Sequence, residues 1–226
     1  MAFTYFFRDA QTLEVAVDQA LPNIRGQAFI DVWDAGCAHG PEPYTLAILL
    51  RERLSEMMFR NVRIHATDVD TMFAETVAQG VFREDEVRRI PSDIRARYFR
   101  PGPMPGQVEV VDEVRRKVAF RHHDLLSLEP IRESLSLIVC KNVLLHFDPP
   151  QRESVIRMFH RALRPDGLLA MENTQKMPEP LSPIFQQLAG HAQVYRRLDP
   201  PRATGGPTFA PRARLPFSRP ETPVEA

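Results

Sequence analysis

The sequence predicts an α/β protein built on a mostly parallel β-sheet with helices on both faces. Short apolar runs alternate with helical patterns along most of the chain, which is the order expected of strand–helix units. A turn of small residues, "AGCAHG" at 35–40, follows the first apolar run, as in sheets that bind ligands beyond the carboxyl ends of their strands. The rhythm breaks at 100–124, where turn residues and short alternating runs predict a small antiparallel hairpin.

The predicted strands are short runs rich in apolar residues. Those outside the hairpin are "AFIDVWD" (28–34), "VRIHATD" (62–68), "LSLIVCKN" (135–142) and "DGLLAMEN" (166–173). The two hairpin strands are "QVEVV" (107–111) and "KVAFR" (117–121).

The predicted helices have apolar residues at helical spacing or a recognisable terminus. They span 12–21, 42–57, 71–80, 92–99 and 149–165. Gly80 is expected to end the third helix, Ser92 to cap the fourth and Pro149 to begin the fifth.

Composition narrows the possible functions. The chain of 226 residues is long enough for one sizeable core, and its 29 basic and 29 acidic residues leave no net charge, so no nucleic-acid partner is expected. Two cysteines suggest a reducing compartment, and no apolar run approaches the ~20 residues of a membrane span. Because the start also lacks a signal-peptide pattern, we expect a cytoplasmic protein without membrane insertion. His122 and His123 are adjacent and distant from Cys140, so no metal site is expected.

The last residues differ from the rest of the chain. Residues 199–226 contain seven prolines, several arginines and few large apolar side chains. Such a segment cannot bury enough surface to offset its ordering entropy, so we expect a disordered tail. A partner-binding role for this tail is the alternative.

Two carboxylates follow the first two predicted strands. Gly36 and Gly40 lie in the first loop, and Glu42 starts the helix after them. Glu42 would repel a pyrophosphate but could accept hydrogen bonds from an ammonium group. Asp68 ends the second strand, where a carboxylate can accept from both hydroxyls of a ribose. The pair favours an adenosyl ligand with a cationic amino acid over a dinucleotide, whose fingerprint is G-x-G-x-x-G.

The order and spacing of seven motifs between Thr4 and Leu169 resemble the chemotaxis receptor methyltransferase (CheR) family. The motifs are "TYFFRD" (4–9), "DAGCAHGPEPYTLAI" (34–48), "HATDVD" (65–70), "GVFREDEVRRIP" (80–91), "RYF" (97–99), "VAFRHHDLL" (118–126) and "LIVCKNVLLHFDPPQRE…ALRPDGLL" (137–169). The resemblance implies a Rossmann-like methyltransferase domain at 1–198, with a small antiparallel β-subdomain inserted at about 100–121. It also implies the cofactor S-adenosyl-L-methionine and methyl transfer to glutamate side chains of a protein substrate, such as a chemoreceptor cytoplasmic domain.

The resemblance further assigns roles to residues that match the family's motifs. Thr4 and Arg8 would lie beside the methionine carboxylate and the methyl group, and the pair Asp124–Leu125 would lie near the adenine. Glu42 would meet the methionine ammonium and Asp68 the ribose. The cofactor-binding residues predicted in this way are Thr4, Arg8, Gly36, Gly40, Glu42, Asp68, Asp124, Leu125, Lys141 and Asn142, and the candidate catalytic residues are Arg8 and His146.

Several positions depart from the family pattern. The family has a helical domain before its first motif, whereas this sequence starts almost at that motif. His39 and Pro41 replace Thr and Glu in the cofactor loop, Lys141 replaces Arg, and His146 replaces Tyr. These changes leave two alternatives open. The chain could methylate another acceptor, with His146 as general base for an amine or hydroxyl, or it could be a non-catalytic cofactor-binding sensor.

The start of the chain carries three adjacent aromatic residues, Tyr5, Phe6 and Phe7. Burying one such side chain contributes roughly 1.5–3 kcal/mol, so these residues are costly to leave in water. We therefore expect this segment to fold over the cofactor as a lid, with the aromatic rings packed and Arg8 facing the methyl group.

Overall fold

The computed structural model describes residues 4–199, and the structural statements below refer to this part of the chain. The predicted tail lies outside it from residue 200 onward. The strands are β1 (Ile30–Ala35), β2 (Val62–Asp68), β3 (Val81–Arg83), β4 (Phe99–Pro101), β5 (Gln107–Val110), β6 (Val118–His122), β7 (Leu135–Cys140), β8 (Leu163–Met171), β9 (Phe185–Ala189) and β10 (Ala192–Arg197). The helices are α1 (Ala10–Ile24), α2 (Pro41–Arg53), α3 (Glu56–Phe59), α4 (Phe73–Gln79), α5 (Ser92–Tyr98), α6 (Asp112–Arg115) and α7 (Pro149–Ala162).

The main sheet confirms the predicted α/β class. Among the described residues it has seven strands in the order β6-β2-β1-β7-β8-β10-β9. The neighbours from β6 to β8 are all parallel. Numbered by their order along the chain, these five strands run 3-2-1-4-5, the order of a doubly wound sheet. The strand order reverses between β1 and β7, so the carboxyl ends of these two strands flank the position where such sheets bind ligands.

The two faces of the sheet enclose two separate cores. Along β1, Val32 packs with residues of α1 and α2, whereas Trp33 packs with residues of α7. The indole ring of Trp33 meets Phe159 edge-to-face, with ring centroids 5.2 Å apart. Because side chains alternate along a strand, one strand can fill both cores. This explains why both faces of β1 are buried, including its two acids Asp31 and Asp34.

A second, three-stranded sheet corrects the predicted hairpin. β5 pairs antiparallel with both β3 and β4, in the order β3-β5-β4. The segment at 117–121 belongs instead to β6, which runs parallel to β2 in the main sheet, with Val118 opposite Ile64. The pairing of 107–111 with 117–121 was therefore wrong. The antiparallel subdomain extends over about 81–110 rather than 100–121.

Helix termini agree with the predictions in part. Gly80 caps α4 with φ of +64°, and Pro149 begins α7, as expected. Ser92 does not cap α5 with its side chain; it is the first helical residue, and Pro91 precedes it. The predicted helix at 42–57 is divided, because the chain is extended at Leu54 and a new helix follows Ser55.

The carboxyl-terminal part of the described chain adds a hairpin. β9 and β10 pair antiparallel, and β10 continues the main sheet against β8. The sequence patterns did not predict these strands. Within residues 4–199, no helix combines the length and the apolar character needed to span a bilayer.

Candidate functional site

A cleft of about 660 Å³ opens at the carboxyl ends of the central strands. This volume falls within the range of small-molecule sites. Its walls come from the chain start and from the segments that follow β1, β2, β6 and β7. The predicted site residues that line it are Thr4, Arg8, Gly36, Glu42, Asp68, Asp124, Leu125, Lys141, Asn142 and His146.

The loop after β1 is held against the end of β2 by backbone hydrogen bonds. The N–H groups of Gly36 and Cys37 both donate to the carbonyl of Thr67, at 2.8 and 2.9 Å. Asp68 accepts from the N–H of Ala38 at 2.9 Å and from that of Asp70 at 3.0 Å. Each oxygen of the Asp68 carboxylate thus accepts one backbone N–H and keeps a further lone pair for another donor.

Gly36 permits a close approach that no other residue could make. Its φ is +99°, and a Cβ built on it would lie 2.1 Å from Cγ2 of Val143. Gly40 has a different position. It precedes α2 with φ of +113°, and its missing Cβ faces Val77 and Phe82 rather than the cleft. Among the predicted cofactor-binding residues, Gly40 is the one that the structure does not bring to the cleft.

Glu42 and Lys141 form an ion pair under the cleft. The Lys141 Nζ donates to Oε2 of Glu42 at 3.1 Å and to the carbonyl of Arg8 at 2.8 Å, and it lies 3.8 Å from the Asp9 carboxylate. The side chain of Lys141 is fully buried and that of Glu42 is 8% exposed. A buried charge needs such partners. Lys141 therefore fixes Glu42 and ties the chain start to the site.

The chain start is packed onto the antiparallel subdomain by one aromatic residue. Phe6 is buried, with its ring edge-to-face against Phe82 at 4.8 Å and against Phe99 at 5.2 Å. The N–H of Phe7 donates to Oγ1 of Thr45 at 3.1 Å. The expected packing of the aromatic residues is confirmed for Phe6, whereas Tyr5 and Phe7 are only partly buried. This packing places Thr4 and Arg8 along the cleft.

Asp34 is a buried acid that the sequence analysis missed. It lies in β1, it is 0% exposed, and neither of its carboxyl oxygens has a hydrogen-bond donor among the described residues. Burial raises its pKa well above the usual range, and the neighbouring Glu42 raises it further, while Lys141 opposes the shift. The available signal was an acid within an apolar run, "FIDVWDAG".

Glu172 is a second missed acid, directly after β8. It is 2% exposed, and its Oε2 accepts the N–H of Asn142 at 3.1 Å. Asn142 has φ of +60°, a left-handed conformation that this bond helps to hold. Burial raises the pKa of Glu172. Glu172 thus supports the backbone of a cleft residue from behind.

The outer part of the cleft is more exposed. Asp124 accepts from the N–H of Leu126 at 2.9 Å and is exposed, whereas Leu125 is buried. His146 ends a short 3₁₀ turn at Leu144–His146, and its side chain is exposed along the cleft. Within residues 4–199, no group of three or more His, Cys, Asp or Glu side chains is arranged to hold a metal ion.

These residues fit an adenosyl ligand with an amino-acid part. The cleft has the necessary volume, a carboxylate at the end of β2 and a buried acid beside a loop without side-chain bulk. A parallel sheet with a ligand cleft at its switch point is the arrangement of Rossmann-like nucleotide-binding domains. The chain belongs to the CheR family: the profile of the CheR methyltransferase S-adenosylmethionine-binding domain matches residues 2–193. Its cofactor is S-adenosylmethionine.

Known relatives agree with this family. The chain is 29% identical to chemotaxis protein methyltransferase 2 of Vibrio cholerae over 199 residues, which cover 86% of this chain and 67% of the relative. It is 33% identical to chemotaxis protein methyltransferase 2 of Pseudomonas aeruginosa over 168 residues, which cover 73% of this chain and 60% of the relative. The chain thus spans only about two thirds of the length of these relatives.

The chain is also similar to a solved structure. The TehB-like S-adenosylmethionine-dependent methyltransferase of Corynebacterium glutamicum is 13% identical, with a TM-score of 0.44, over 81% of this chain and 86% of that protein.

Proposed function

We propose that this chain transfers a methyl group from S-adenosylmethionine to glutamate carboxylates of a chemoreceptor-like protein. The observation that carries the proposal is that Thr4 and Arg8, from the chain start, line the same cleft as Asp68 and Asp124. A cationic group therefore accompanies the acids of the cofactor site at the place where an acidic acceptor would enter. The relatives named as chemotaxis protein methyltransferases support this acceptor.

The nucleoside part of the cofactor is assigned to the segments after β2 and β6. The Asp68 carboxylate, held by two backbone N–H groups, is oriented to accept from the ribose hydroxyls. Asp124 has its side chain at the cleft edge and can accept from the exocyclic amino group of adenine. The buried side chain of Leu125 offers an apolar contact for the ring.

The amino-acid part is assigned to the segments after β1 and β7. Glu42 is the acceptor for the methionine ammonium, with Lys141 fixing its orientation. Gly36 and Asn142 line the cleft beside this position. Thr4 and Arg8 offer donors for the methionine carboxylate.

The chemistry then requires little from acid–base groups. When bound, S-adenosylmethionine supplies an electrophilic methyl group on a sulfonium ion. A glutamate acceptor is ionised at neutral pH, because its ordinary pKa is about 4.3, so no general base is needed. The chain's own contribution is to hold the acceptor in line, which can supply up to about 7–11 kcal/mol in favourable cases. Arg8 is the residue proposed to orient the carboxylate of the acceptor glutamate, in addition to its contact with the methionine carboxylate.

The antiparallel subdomain is proposed to help in docking the protein substrate. β3 and β4 are its edge strands, and an exposed edge can pair with an added peptide strand. A depression of about 650 Å³ lies beside β4 and β5 and is lined in part by Arg95, Arg100 and Gln107. Both arginines pair with acids of this chain, Arg95 with Glu84 and Arg100 with Glu109, so an acidic peptide would have to compete for them.

The decisive experiment is methyl transfer from labelled cofactor to a purified chemoreceptor cytoplasmic fragment. A methyl ester releases its label as methanol in mild base, whereas methylated amines and ethers do not. We expect base-labile label that disappears when the acceptor glutamates are changed to alanine. Arg8→Ala should reduce transfer more than Arg8→Lys, which keeps a cation. Base-stable label, or cofactor binding without transfer, would contradict the proposal.

A second candidate is methylation of an amine or hydroxyl, favoured by the exposed side chain of His146 along the cleft. The two candidates differ in pH dependence. A general-base reaction should accelerate with rising pH as the base loses its proton. A glutamate acceptor, already ionised, should give a rate that is flat from about pH 6 to 8. His146→Gln should abolish the acceleration only if the second candidate is correct.

A further inference from the structure

We propose that Asp34 is a positioning residue of the cofactor site, which holds a proton against Glu42 in the free protein and releases it when an ammonium group binds beside Glu42. The inference rests on the proposed function, because it takes the methionine ammonium as the partner of Glu42.

The geometry that supports it is a pair of buried carboxyl groups. Asp34 is 0% exposed and Glu42 is 7% exposed. Glu42 is an interacting neighbour of Asp34, and neither oxygen of Asp34 has a hydrogen-bond partner among the described residues. Two ionised carboxylates would face each other with acceptors only. A proton between them converts this contact into a hydrogen bond, as in other carboxylate pairs that share one site.

The surrounding charges act in both directions, and the acids outnumber the cation. Lys141 supplies one positive charge to the pair, through its 3.1 Å contact with Glu42, and it lowers the pKa of Asp34. One ammonium offsets one carboxylate, which leaves the second carboxylate without a counter-charge. Burial and Glu42 raise the pKa of Asp34, and Asp68 adds to the effect. Besides Glu42 on α2, the titratable groups around Asp34 are Lys141 after β7, Asp68 on β2, Cys37 in the loop after β1, Cys140 on β7, Asp9 before α1 and Glu172 after β8.

A ligand ammonium changes this balance. It adds a second positive charge beside Glu42, so the neutral acid loses its advantage. The Asp34 carboxylic acid then becomes a carboxylate, its proton goes to solvent, and the ligand keeps its own three N–H donors. The charges balance: two carboxylates now face two ammonium groups. A ligand without an ammonium group leaves the proton in place.

The test compares two probes by calorimetry in buffers of different ionisation enthalpy, at several pH values from 6 to 8. S-Adenosylhomocysteine has the amino-acid group, and 5′-methylthioadenosine has the same nucleoside without it. We expect the wild-type chain to release up to one proton with the first probe and none with the second. Asp34→Asn should abolish the release, and Asp70→Asn is the matched control, since it removes an acid beside Asp68 that does not line the cleft.

The outcomes separate this inference from the proposed function. Release that is equal for both probes, or that persists in Asp34→Asn, would overturn the inference. If Asp34→Asn does not fold, the comparison of the two probes on the wild-type chain and an Asp34→Ser variant decide. Unchanged affinity of S-adenosylhomocysteine in Glu42→Gln would remove the proposed ammonium contact. No release from a wild-type chain whose Glu42→Gln variant binds more weakly would overturn only the role of Asp34.

Discussion

At the scale of single residues, Gly36 is a point of close contact between two loops of the cleft. Its backbone has φ of +99°, and Val143 occupies the space that a side chain would need. This contact brings the loop after β1 against the loop after β7 at the switch point of the sheet. The absence of a side chain at Gly36 therefore allows these two loops to approach each other at the cleft.

We predict that Gly36→Ala will destabilise the protein and weaken binding of S-adenosylhomocysteine. A non-glycine residue at positive φ costs about 1–3 kcal/mol, and the clash with Val143 adds to this cost. Gly106→Ala is the matched control, because its φ is +79° but nothing lies within 4 Å of the added atom. Thermal unfolding should show a larger loss at Gly36, and Val143→Ala should rescue part of it. Equal losses at both glycines would refute the role of the contact.

We also predict that Asp68→Asn weakens binding of S-adenosylhomocysteine by about 1.5–3 kcal/mol, the range for hydrogen bonds to charged groups. The amide keeps the size of the side chain but has only one acceptor oxygen for the N–H groups of Ala38 and Asp70. Calorimetry measures the change. Ser127→Ala, on the adjoining surface turn, serves as a control for general effects of substitution. An affinity equal to that of the wild-type chain would remove Asp68 from the ribose site.

Sequence patterns located most cleft residues but not the charges behind them. Glu42 and Asp68 could be predicted because they follow strands at the ligand-binding edge of a parallel sheet. Asp34 and Glu172 lie within or directly after strands, where the pattern describes burial but not the neighbours across the fold. Lys141 was assigned to the cofactor, and only the three-dimensional contacts show that its ammonium is buried against Glu42.

At the scale of elements, the chain start is held by packing in addition to any ligand. The ring of Phe6 packs against two rings of the antiparallel subdomain. The buried ammonium group of Lys141 donates a hydrogen bond to the carbonyl of Arg8. The lid that the sequence predicted thus has an anchor at its centre. Its ordering by the cofactor stays a prediction.

Hydrogen exchange of residues 4–9 tests that prediction. We expect partial protection in the free protein and stronger protection with S-adenosylhomocysteine, because Thr4 and Arg8 line the cleft. Phe6→Ala should remove the protection, since truncating a buried phenylalanine costs about 3–5 kcal/mol. Phe29→Ala is the control, as that ring is 55% exposed. Fast exchange in both states of the wild-type chain would mean that no lid forms.

The elements of the main sheet were predictable where strand and helix alternate, and the subdomain was not. The runs at 107–111 and 117–121 are close in sequence and both alternate, which favours a hairpin. The α6 turn separates the two runs. β6 pairs instead with β2, which lies some fifty residues earlier in the chain, and local sequence patterns contain no information on this pairing. β9 and β10 were missed for a related reason, since their polar residues give only weak alternation.

At the scale of the whole molecule, the buried acids determine how stability depends on pH. The pKa of Asp34 is raised in the folded protein, so the folded chain binds this proton more tightly than the unfolded chain does. The stabilisation is fully present below the unfolded pKa of about 3.9 and is lost as pH rises through the folded pKa. Glu172 acts in the same direction.

We therefore predict that Asp34→Asn gains stability relative to the wild-type chain as pH rises from 5 to 8. The gain should not exceed about 1.4 kcal/mol per pH unit, the free energy of one proton per unit. Thermal unfolding over this range measures it, with Asp70→Asn as the control for loss of a more exposed acid. A difference in midpoint temperature that is the same at every pH would contradict the assignment.

The ring of Phe6 has a consequence for communication between distant surfaces. The ring contacts Phe82 and Phe99 of the subdomain. The backbone of Phe6 lies between Thr4 and Arg8, which line the cleft. A macromolecule bound to the subdomain and a small molecule bound in the cleft would thus act on the same contact. Thermodynamic linkage is reciprocal, so whatever factor one ligand applies to the affinity of the other is returned unchanged. Titrating either ligand in the presence of the other would yield one coupling constant, and Phe6→Ala would bring it toward unity.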